Sequence, residues 1–345
     1  MKNQTKYKVA IAGATGLVGT EIIGILGSRR FPVDKLKLLA SEDSAGEIHE
    51  FRGEALHVSL LEEDAFIGVD IAFFATNSEL SRKYVPCARS EGAVVIDNSA
   101  AYRMDMDVPL VVPEVNGFKL VDHDGMIANP NCSTVQLVMV LKPLLKHVRI
   151  KRVVVSTYQA VSGWGKRAMD ELIEQVRDLL TFKEIKVNVF SKQIAFNCIP
   201  QIDVFTSNGN TGEEEKIINE TRKILDMKDF RITATAVRVP VFNGHSQAVT
   251  IEFDSELSVE KARDILTQST GIVLLDDPAN SEFPVAVQVT GHDEVYAGRI
   301  RKDHSVEYGL NLWTVSDNLR KGAALNAVQI AEELIKLPNL GRRKK

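Results

Sequence analysis

The first half of the chain alternates short apolar runs with amphipathic stretches. Residues 7–12 form an apolar run rich in β-forming residues, and a glycine-rich turn follows at 13–19. Apolar positions then recur at helical spacing as far as Arg29, and residues 35–40 form a second apolar run. This order of strand, glycine turn, helix and strand predicts a βαβ unit, whose turn would let backbone N–H groups approach a dinucleotide pyrophosphate.

The same alternation continues beyond this unit. Residues 69–75 and 93–96 are predicted strands, and the helical pattern of residues 80–90 lies between them. Strands that alternate with helices favour a parallel sheet with helices on both faces. The first half is therefore predicted to be a Rossmann-like, doubly wound α/β domain.

The second half has longer strands and fewer helices, which predicts an α+β domain with a mixed sheet. Its predicted strands are residues 151–161, 230–241, 247–254, 285–290 and 305–315, and its predicted helices are residues 166–180, 213–225 and 259–268. A last helix is predicted at 318–337, apolar on one face. We therefore expect a dinucleotide-binding domain at 1–131, completed by the C-terminal helix segment 318–345, and a second domain at 132–317.

Composition limits the function classes. The 345 residues suit two domains, and an apolar content of 44% with 26% charged residues is ordinary for a soluble enzyme. A net charge of −4 gives no general reason to expect a nucleic-acid or membrane partner, and no apolar run reaches the length of a membrane span. The basic cluster at 342–345 is expected to be a solvated tail.

The three cysteines suggest a reducing environment. Cys87, Cys132 and Cys198 form neither an even disulfide framework nor a C-x-x-C pair, so no metal site is expected. With no recognisable export leader at the N-terminus, the sequence predicts a cytoplasmic protein.

Cys132 is the strongest candidate for chemistry. It follows a strand-like stretch and Pro130-Asn131, and it precedes a long apolar run that is typical of a helix. The thiol is therefore expected at a helix N-terminus, where backbone N–H groups and the helix dipole favour a thiolate. The alternative interpretation, a buried structural cysteine, stays open on this pattern alone.

A nucleophilic thiolate beside a nicotinamide cofactor would allow hydride reduction of an acyl thioester. Such chemistry needs an acid/base and a cation for the substrate. His245 follows an Asn-Gly turn at the end of a strand-like stretch, and Arg238 lies on that stretch. A lone histidine is more often structural, so the pattern by itself leaves the role of His245 undecided.

Several longer motifs together resemble the aspartate-semialdehyde dehydrogenase family, over essentially the whole chain. These motifs are the residues at 129–134, at 156–163 and at 238–246, with supporting matches at 97–99 with Arg103, at 108–116 and at 196–201. The resemblance implies NADPH-dependent reductive dephosphorylation of L-aspartyl 4-phosphate to L-aspartate 4-semialdehyde and phosphate. This reaction leads toward lysine or diaminopimelate, threonine, methionine and isoleucine.

The resemblance also implies roles for individual residues. Cys132 would be the nucleophile, His245 the acid/base, and Gln159 would orient the intermediate. Arg238 and Glu213 would bind the substrate's carboxylate and amine, whereas Arg103 and Lys216 would hold the phosphate beside Asn131. The cofactor would be bound by residues of the glycine turn, of the segment after the second strand and of the second domain: Gly13, Thr15, Gly16, Leu17, Val18, Ser41, Ser44, Ser162, Gly163 and Asn318.

One departure from the family concerns the cofactor. Asp43 stands where the family usually has a basic residue. An acidic group at the end of this strand repels the 2′-phosphate of NADP and can bind the ribose hydroxyls of NAD. The resemblance therefore implies NADP, and Asp43 leads us to expect relaxed or NAD-leaning specificity.

Three other functions compete with this interpretation. N-acetyl-γ-glutamyl-phosphate reductase shares the chemistry, but its cysteine motif resembles Asn-Pro-Gly-Cys-Tyr, whereas Asn131 and Ser133 flank Cys132 here. A short-chain dehydrogenase would need a Tyr-x-x-x-Lys pair, and no tyrosine has a lysine four residues later. A non-catalytic dinucleotide-binding sensor would be expected to lack the nucleophile or the base. The family resemblance also implies that 132–317 is the catalytic and dimerisation domain. It implies a homodimer, or a dimer of dimers, built through the sheet of this domain.

Overall fold

The computed structural model describes residues 6–341, with residues 339 and 341 described by their backbone alone. The predicted basic tail at 342–345 lies outside the described residues. The chain divides into two compact units, one comprising the residues up to Asn131 together with those from Ala323 onward, and the other comprising Cys132–Gly322. Within residues 6–341, no helix is both long and apolar enough to cross a membrane, and no cluster of metal-binding side chains occurs.

The strands in chain order are β1 Tyr7–Ala12, β2 Val33–Ala40, β3 Ile48–Phe51, β4 Glu54–Leu60, β5 Ile71–Phe74, β6 Val94–Asp97, β7 Met126–Ala128, β8 Ile150–Gln159, β9 Ile232–Arg238, β10 His245–Phe253, β11 Ile272–Leu274, β12 Val295–Lys302 and β13 Gly309–Ser316. The α-helices are α1 Leu17–Ser28, α2 Ser78–Ser90, α3 Pro113–Asn116, α4 Cys132–Leu145, α5 Lys166–Leu180, α6 Gly212–Leu225, α7 Val259–Thr267, α8 Ala286–Val289 and α9 Leu325–Leu334. A π-helix, Arg320–Ala324, precedes α9.

The first unit is built on a seven-stranded sheet in the order β3-β4-β2-β1-β5-β6-β7. All neighbouring strands run parallel except β3, which pairs antiparallel with β4 at the edge. One face packs on a core that includes Ile22 of α1 and Val328 of α9, and the other face packs on a core that includes Val85 of α2. These two covered faces confirm the predicted doubly wound fold.

The second unit is built on a mixed six-stranded sheet in the order β11-β12-β13-β10-β8-β9. Two neighbouring pairs are parallel, namely β8 with β9 and β11 with β12, and the other pairs are antiparallel. From Val153 onward, alternate residues of β8 are buried, and those between them are half-buried or exposed. The predicted mixed sheet is therefore confirmed, with one inner face and one more open face.

Some predicted elements are wrong. The predicted strand at 285–290 is the short helix α8, because its backbone bonds close locally, from Thr290 N–H to Ala286 O. The predicted strand at 305–315 begins only at Gly309. Four strands were not predicted. The residues of β3, β4 and β12 are more polar than those of a buried strand, and β11 is apolar but only three residues long.

The predicted last helix at 318–337 starts too early. Residues 318–322 belong to the second unit, although they were expected to complete the first. The physical reason is local hydrogen bonding: the Asp317 carboxylate accepts from the N–H groups of Leu319, Arg320 and Gly291, the last of these at 2.8 Å. The regular helix begins at Leu325, after the π-helical turn.

Candidate active site

The first turn of α4 carries Cys132, because the helix begins at this residue. The first backbone N–H groups of an α-helix cannot bond within the helix, and together with the helix dipole they favour a thiolate. Gly322 lies against the cysteine, since a Cβ atom added at Gly322 would be 2.8 Å from Cys132 Cβ. The close approach explains a glycine at position 322, which the sequence pattern did not single out.

His245 is the first residue of β10 and is fully buried. Its Nδ1 accepts a hydrogen bond of 3.0 Å from the Ala160 N–H, so the neutral ring carries its hydrogen on Nε2. Burial and the nearby charge of Arg238 hold the pKa of His245 well below its usual range. No described residue bonds to Nε2, which makes this atom the ring's available donor.

The Nε2 atom of His245 and the guanidinium of Arg238 converge on Gly163. A Cβ atom at Gly163 would lie 3.2 Å from His245 Nε2 and 3.1 Å from Arg238 Nη1. Glycine at 163 therefore keeps space beside both polar groups. This convergence is geometric support for grouping the two residues, which are seven positions apart in the sequence.

Arg238 ends β9 and is buried. Its Nη1 donates to the Ala160 carbonyl at 2.6 Å, so the backbone of one residue, Ala160, orients both the imidazole and the guanidinium. Burial lowers the pKa of Arg238, and the charges of Glu213 and Cys132 oppose that effect. The guanidinium stays cationic because its ordinary pKa is far above neutral.

Gln159 and Glu213 form a buried pair beside this cation. The Gln159 amide donates to Glu213 Oε1 at 3.0 Å and accepts from the Thr157 hydroxyl at 3.0 Å. Glu213 lies in the first turn of α6, and Thr211 caps that helix through a capping box. The structure thus brings together two predicted residues from distant segments.

Lys216 lies one turn further along α6 and forms an ion pair with Asp203 at 2.7 Å. A longer contact of 3.4 Å joins it to Glu213. Hydrogen bonding from Lys216 lowers the pKa of Asp203, although partial burial opposes the shift. Asp203 was not predicted as a site residue, because it lies 13 positions from Lys216 and no sequence motif links the two.

Asn318 belongs to the second unit and precedes the π-helix, which corrects its predicted place on the last helix. Its Oδ1 accepts from the Gly244 N–H and its Nδ2 donates to the Ser162 hydroxyl, each at 2.9 Å. These bonds connect the turn that contains Gly163 with the turn that precedes His245. Asn318 therefore stabilises the loops that carry the convergent groups.

The predicted cofactor residues of the first unit surround the turn between β1 and α1. Gly13 has a φ of +81°, and a Cβ atom there would be 2.4 Å from the Ala75 carbonyl. Gly16 is the N-cap of α1 and supplies no side-chain cap, so the N–H groups of Leu17 and Val18 lie at an uncapped helix start next to Thr15. This arrangement fits a bound pyrophosphate.

Ser41, Asp43 and Ser44 follow the end of β2, at the sheet edge where β1 also ends. Ser41 is the N-cap residue of a 3₁₀ turn, Glu42–Ser44. Asp43 is exposed within this turn and Ser44 is half-buried. The structure therefore places an acidic side chain beyond the strand whose end usually faces the adenosine ribose in this fold.

Arg103 and Asn131 are buried residues of the first unit. Arg103 Nη2 donates to the Asn98 carbonyl at 2.6 Å. The buried Asp97 carboxylate accepts from the Ser99 N–H and hydroxyl, which shapes the turn that leads to Arg103, and burial raises the pKa of Asp97. Asn131 is the last residue of this unit before Cys132.

The first unit has the glycine turn of a nucleotide-binding fold. The second unit has a cysteine at a helix start, together with a buried histidine and a buried arginine. This combination is typical of dehydrogenases that act through a cysteine thioester. Two family models match this chain. The semialdehyde dehydrogenase NAD-binding domain matches residues 8–123, and the semialdehyde dehydrogenase dimerisation domain matches residues 141–321.

Individual relatives agree with these matches. The aspartate-semialdehyde dehydrogenase of Aquifex aeolicus is 50% identical over 96% of this chain and 98% of its own length. The crystal structure of aspartate semialdehyde dehydrogenase II from Vibrio cholerae complexed with ASA superposes with a TM-score of 0.94 at 47% identity, covering 96% of this chain and 99% of that one. The enzyme of Candida albicans with NADP has a TM-score of 0.74 at 25% identity, with coverages of 96% and 98%.

The chain belongs to the aspartate-semialdehyde dehydrogenase family, whose members are oxidoreductases of amino-acid biosynthesis.

Proposed function

We propose that this enzyme reduces L-aspartyl 4-phosphate to L-aspartate 4-semialdehyde and phosphate, in the biosynthesis of lysine or diaminopimelate, threonine, methionine and isoleucine. The observation that carries the proposal is the convergence of His245 Nε2 and Arg238 Nη1 on Gly163. Cys132, at the start of α4 in the same unit, would contribute the nucleophilic sulfur. The family membership supplies the substrate.

The first step uses the Cys132 sulfur. The thiolate attacks the acyl carbon of the substrate, a C–S bond forms, and the C–O bond to phosphate breaks, so phosphate leaves and an acyl thioester remains. The nicotinamide cofactor, when bound, supplies the hydride that reduces this thioester. Collapse of the reduced adduct breaks the C–S bond, and the aldehyde and the thiolate are released.

We propose that His245 acts at Nε2, because the Ala160 amide occupies Nδ1. The neutral ring donates from Nε2, which stabilises negative charge on the sulfur or on the oxygen of a tetrahedral adduct. The ring accepts a proton at Nε2 only in the other tautomer, which requires loss of the Ala160 bond. The proposed acid/base exchange is therefore linked to the geometry of this backbone amide.

The polar residues of the site suit a substrate that carries one ammonium group, one carboxylate and one phosphate. A guanidinium can fork onto a carboxylate, so Arg238 is the proposed partner of the α-carboxylate, and Glu213 that of the ammonium. Gln159, held by Thr157 and Glu213, would orient the acyl group. Arg103, Asn131 and Lys216 are proposed to hold the phosphate.

The cofactor is proposed to bind the turn of Gly13, Thr15, Gly16, Leu17 and Val18 with its pyrophosphate. Ser41 and Ser44 would lie by the ribose. Ser162, Gly163 and Asn318 are the proposed nicotinamide residues, and the Asn318 amide already bonds Ser162 and Gly244. Asn318 would therefore act by fixing this loop, with both ends of its amide engaged.

The substrate assignment is tested in the reverse direction. Purified enzyme should reduce NAD(P)+ with aspartate semialdehyde only when phosphate is present, because phosphate must cleave the thioester. N-acetylglutamate semialdehyde serves as the comparison substrate. A higher kcat/KM with the acetylated compound, or turnover that does not need phosphate, would contradict the proposal.

We propose that Asp43 shifts the cofactor preference away from NADP. Asp43 is exposed after β2, and the neighbouring Glu42 and Glu47 are exposed carboxylates too. Like charges repel the 2′-phosphate, so kcat/KM for NADP should be at most comparable with that for NAD. The Asp43→Arg variant should raise the NADP to NAD ratio of kcat/KM by about tenfold or more.

The matched control is Glu91→Arg. Glu91 is also exposed, but it precedes β6 and therefore lies at the opposite edge of the parallel sheet. The same charge change there should leave the cofactor ratio unchanged. A wild-type NADP preference of about a hundredfold would reject the role of Asp43.

We further propose a homodimer that packs through the open face of the second sheet. Tyr158 of β8 and Trp313 of β13 lie on this face with ring centroids 5.3 Å apart, and Tyr158 is 38% exposed. Matching of residues 141–321 to a dimerisation domain supports a second copy as the partner. Sedimentation equilibrium should give a mass of twice 38.2 kDa, or four times for a dimer of dimers, and a monomer mass would contradict the proposal.

A cytoplasmic location is proposed as well, because the nucleophilic thiol must remain reduced, and all three cysteines are free. Cell fractionation with an antibody against the enzyme would test this location.

A further inference from the structure

A buried amide connects the strand of His245 with the helix of Cys132. Gln247 lies two residues after His245 on β10, so both side chains point to the inner face of the sheet. Its Nε2 donates a hydrogen bond of 2.8 Å to the carbonyl oxygen of Ser133. Ser133 directly follows Cys132 in the first turn of α4, so the bond reaches the helix beside the nucleophile.

Beyond Gln247, the inner face of β10 is apolar. The next inward positions of β10 are Val249, Ile251 and Phe253, and all three are buried, as Gln247 is. A buried amide is costly unless it is hydrogen-bonded, and a leucine or methionine would fill similar volume at no such cost. Gln247 Oε1 moreover has no hydrogen-bond partner among the described residues. The bond from Nε2 to Ser133 is therefore the one hydrogen bond of this side chain among those residues.

The neighbours of Gln247 are themselves ordered by the sheet. Gln247 is paired in register with Thr157 of β8 and with Thr314 of β13. Thr157 in turn donates to Gln159. Because strand pairing fixes the position of Gln247, its bond to Ser133 fixes the first turn of α4 relative to the same strands.

We propose that Gln247 is a positioning residue that sets the separation of the Cys132 sulfur from His245 Nε2. This inference rests on the proposed function, in which these two groups carry the chemistry. Gln247 is not among the residues proposed to contact substrate or cofactor. Loss of the bond would let the helix start shift relative to β10, and misplacement of reacting groups by about 1 Å can cost on the order of a hundredfold in rate.

The test compares Gln247→Met with Thr314→Val. The first variant keeps the side-chain volume and removes the donor to Ser133. The second removes a buried hydroxyl from the neighbouring register position, and no described residue bonds to that hydroxyl. Gln247→Met should lower kcat by about 10-fold to 100-fold and change the substrate KM less than about threefold. Thr314→Val should leave both constants at the wild-type values.

A second readout follows the thiol itself. The rate of Cys132 alkylation by iodoacetamide, followed on its peptide by mass spectrometry to separate it from Cys87 and Cys198, reports thiolate formation against pH. Gln247→Met should move the midpoint of this profile, and Thr314→Val should not. Unchanged kcat and an unchanged profile in Gln247→Met would overturn the positioning role, and so would equal losses of kcat in both variants.

The Gln247→Glu variant keeps the test decisive if methionine impairs folding. A protonated carboxyl can donate to Ser133 O, whereas the carboxylate cannot, so its kcat relative to wild type should fall as pH rises. A pH-independent ratio would contradict the proposal. If the variants behave as expected but Cys132→Ala remains active, the proposed function fails rather than the positioning of α4.

Discussion

Replacing Cys132 with alanine is expected to abolish turnover. Alanine keeps the start of α4 and the contact with Gly322, but it removes the only atom that can form the acyl thioester. The loss in kcat should exceed about 10⁴-fold, the scale seen when an enzyme loses its nucleophile. Phosphate-dependent reduction of NAD(P)+ with aspartate semialdehyde measures this effect.

A measurement of cofactor binding distinguishes a catalytic defect from misfolding in the Cys132→Ala variant. The Kd of the reduced cofactor, followed by its fluorescence, should be the same in Cys132→Ala and in wild type, because the proposed pyrophosphate residues lie on the turn between β1 and α1. Cys198→Ala is the matched control, since Cys198 is exposed and should be dispensable. Substantial turnover by Cys132→Ala would remove the basis for the thioester mechanism.

Replacing His245 with asparagine should lower kcat by about a hundredfold or more. An asparagine amide can still accept the hydrogen bond from the Ala160 N–H, but it has no atom at the position of Nε2. The substitution therefore removes the group near Gly163 while it keeps the backbone contact. Steady-state kinetics in both directions would measure the loss.

His304→Asn is the control for this substitution, because His304 is an exposed residue between β12 and β13. It should have wild-type kcat. A His245→Asn enzyme with nearly normal kcat would show that the imidazole is structural, which is the alternative that the sequence left open.

Stability should also respond to His245. Since the folded pKa lies below the ordinary value of 6.5, the unfolded chain binds the proton first as pH falls below about 6.5. The free energy of unfolding should therefore decrease from that pH downward, and the contribution of this residue is constant above it. Urea unfolding of wild type and of His245→Asn at roughly pH 5 to 8 would measure this effect. The free energy of unfolding should depend less on pH in the variant.

The architecture was largely readable from the sequence where patterns are local. The glycine turn after residues 7–12 predicted a βαβ unit, and the structure has β1, α1 and β2 in that order. Residues 166–180 gave the bounds of α5 correctly because their amphipathic pattern is long. The edge strand β3 and the inner strand β12 were not predicted, since polar positions on a partly exposed strand leave little periodic signal.

Candidate site residues were recognised for different reasons. The position of Cys132 at a helix start followed from the sequence order of strand, Pro130 and apolar helix. His245 and Arg238 could be named as candidates from their position around one strand end. Their roles followed only from the family resemblance, because no local pattern distinguishes them from structural residues. Asp203, Gly322 and Gln247 were missed, since each acts through a contact with a residue far away in the chain.

The sequence by itself determined the two-part organisation, the nucleotide-type turn, the thiol at a helix start and the acidic residue after the second strand. All of these depend on neighbours within a few positions. Tertiary structure alone decided the tautomer of His245, the convergence of its Nε2 with Arg238 and the bond from Gln247 to the first turn of α4. The physical reason is that strand pairing and burial bring these groups together across distances in the chain that no local pattern records.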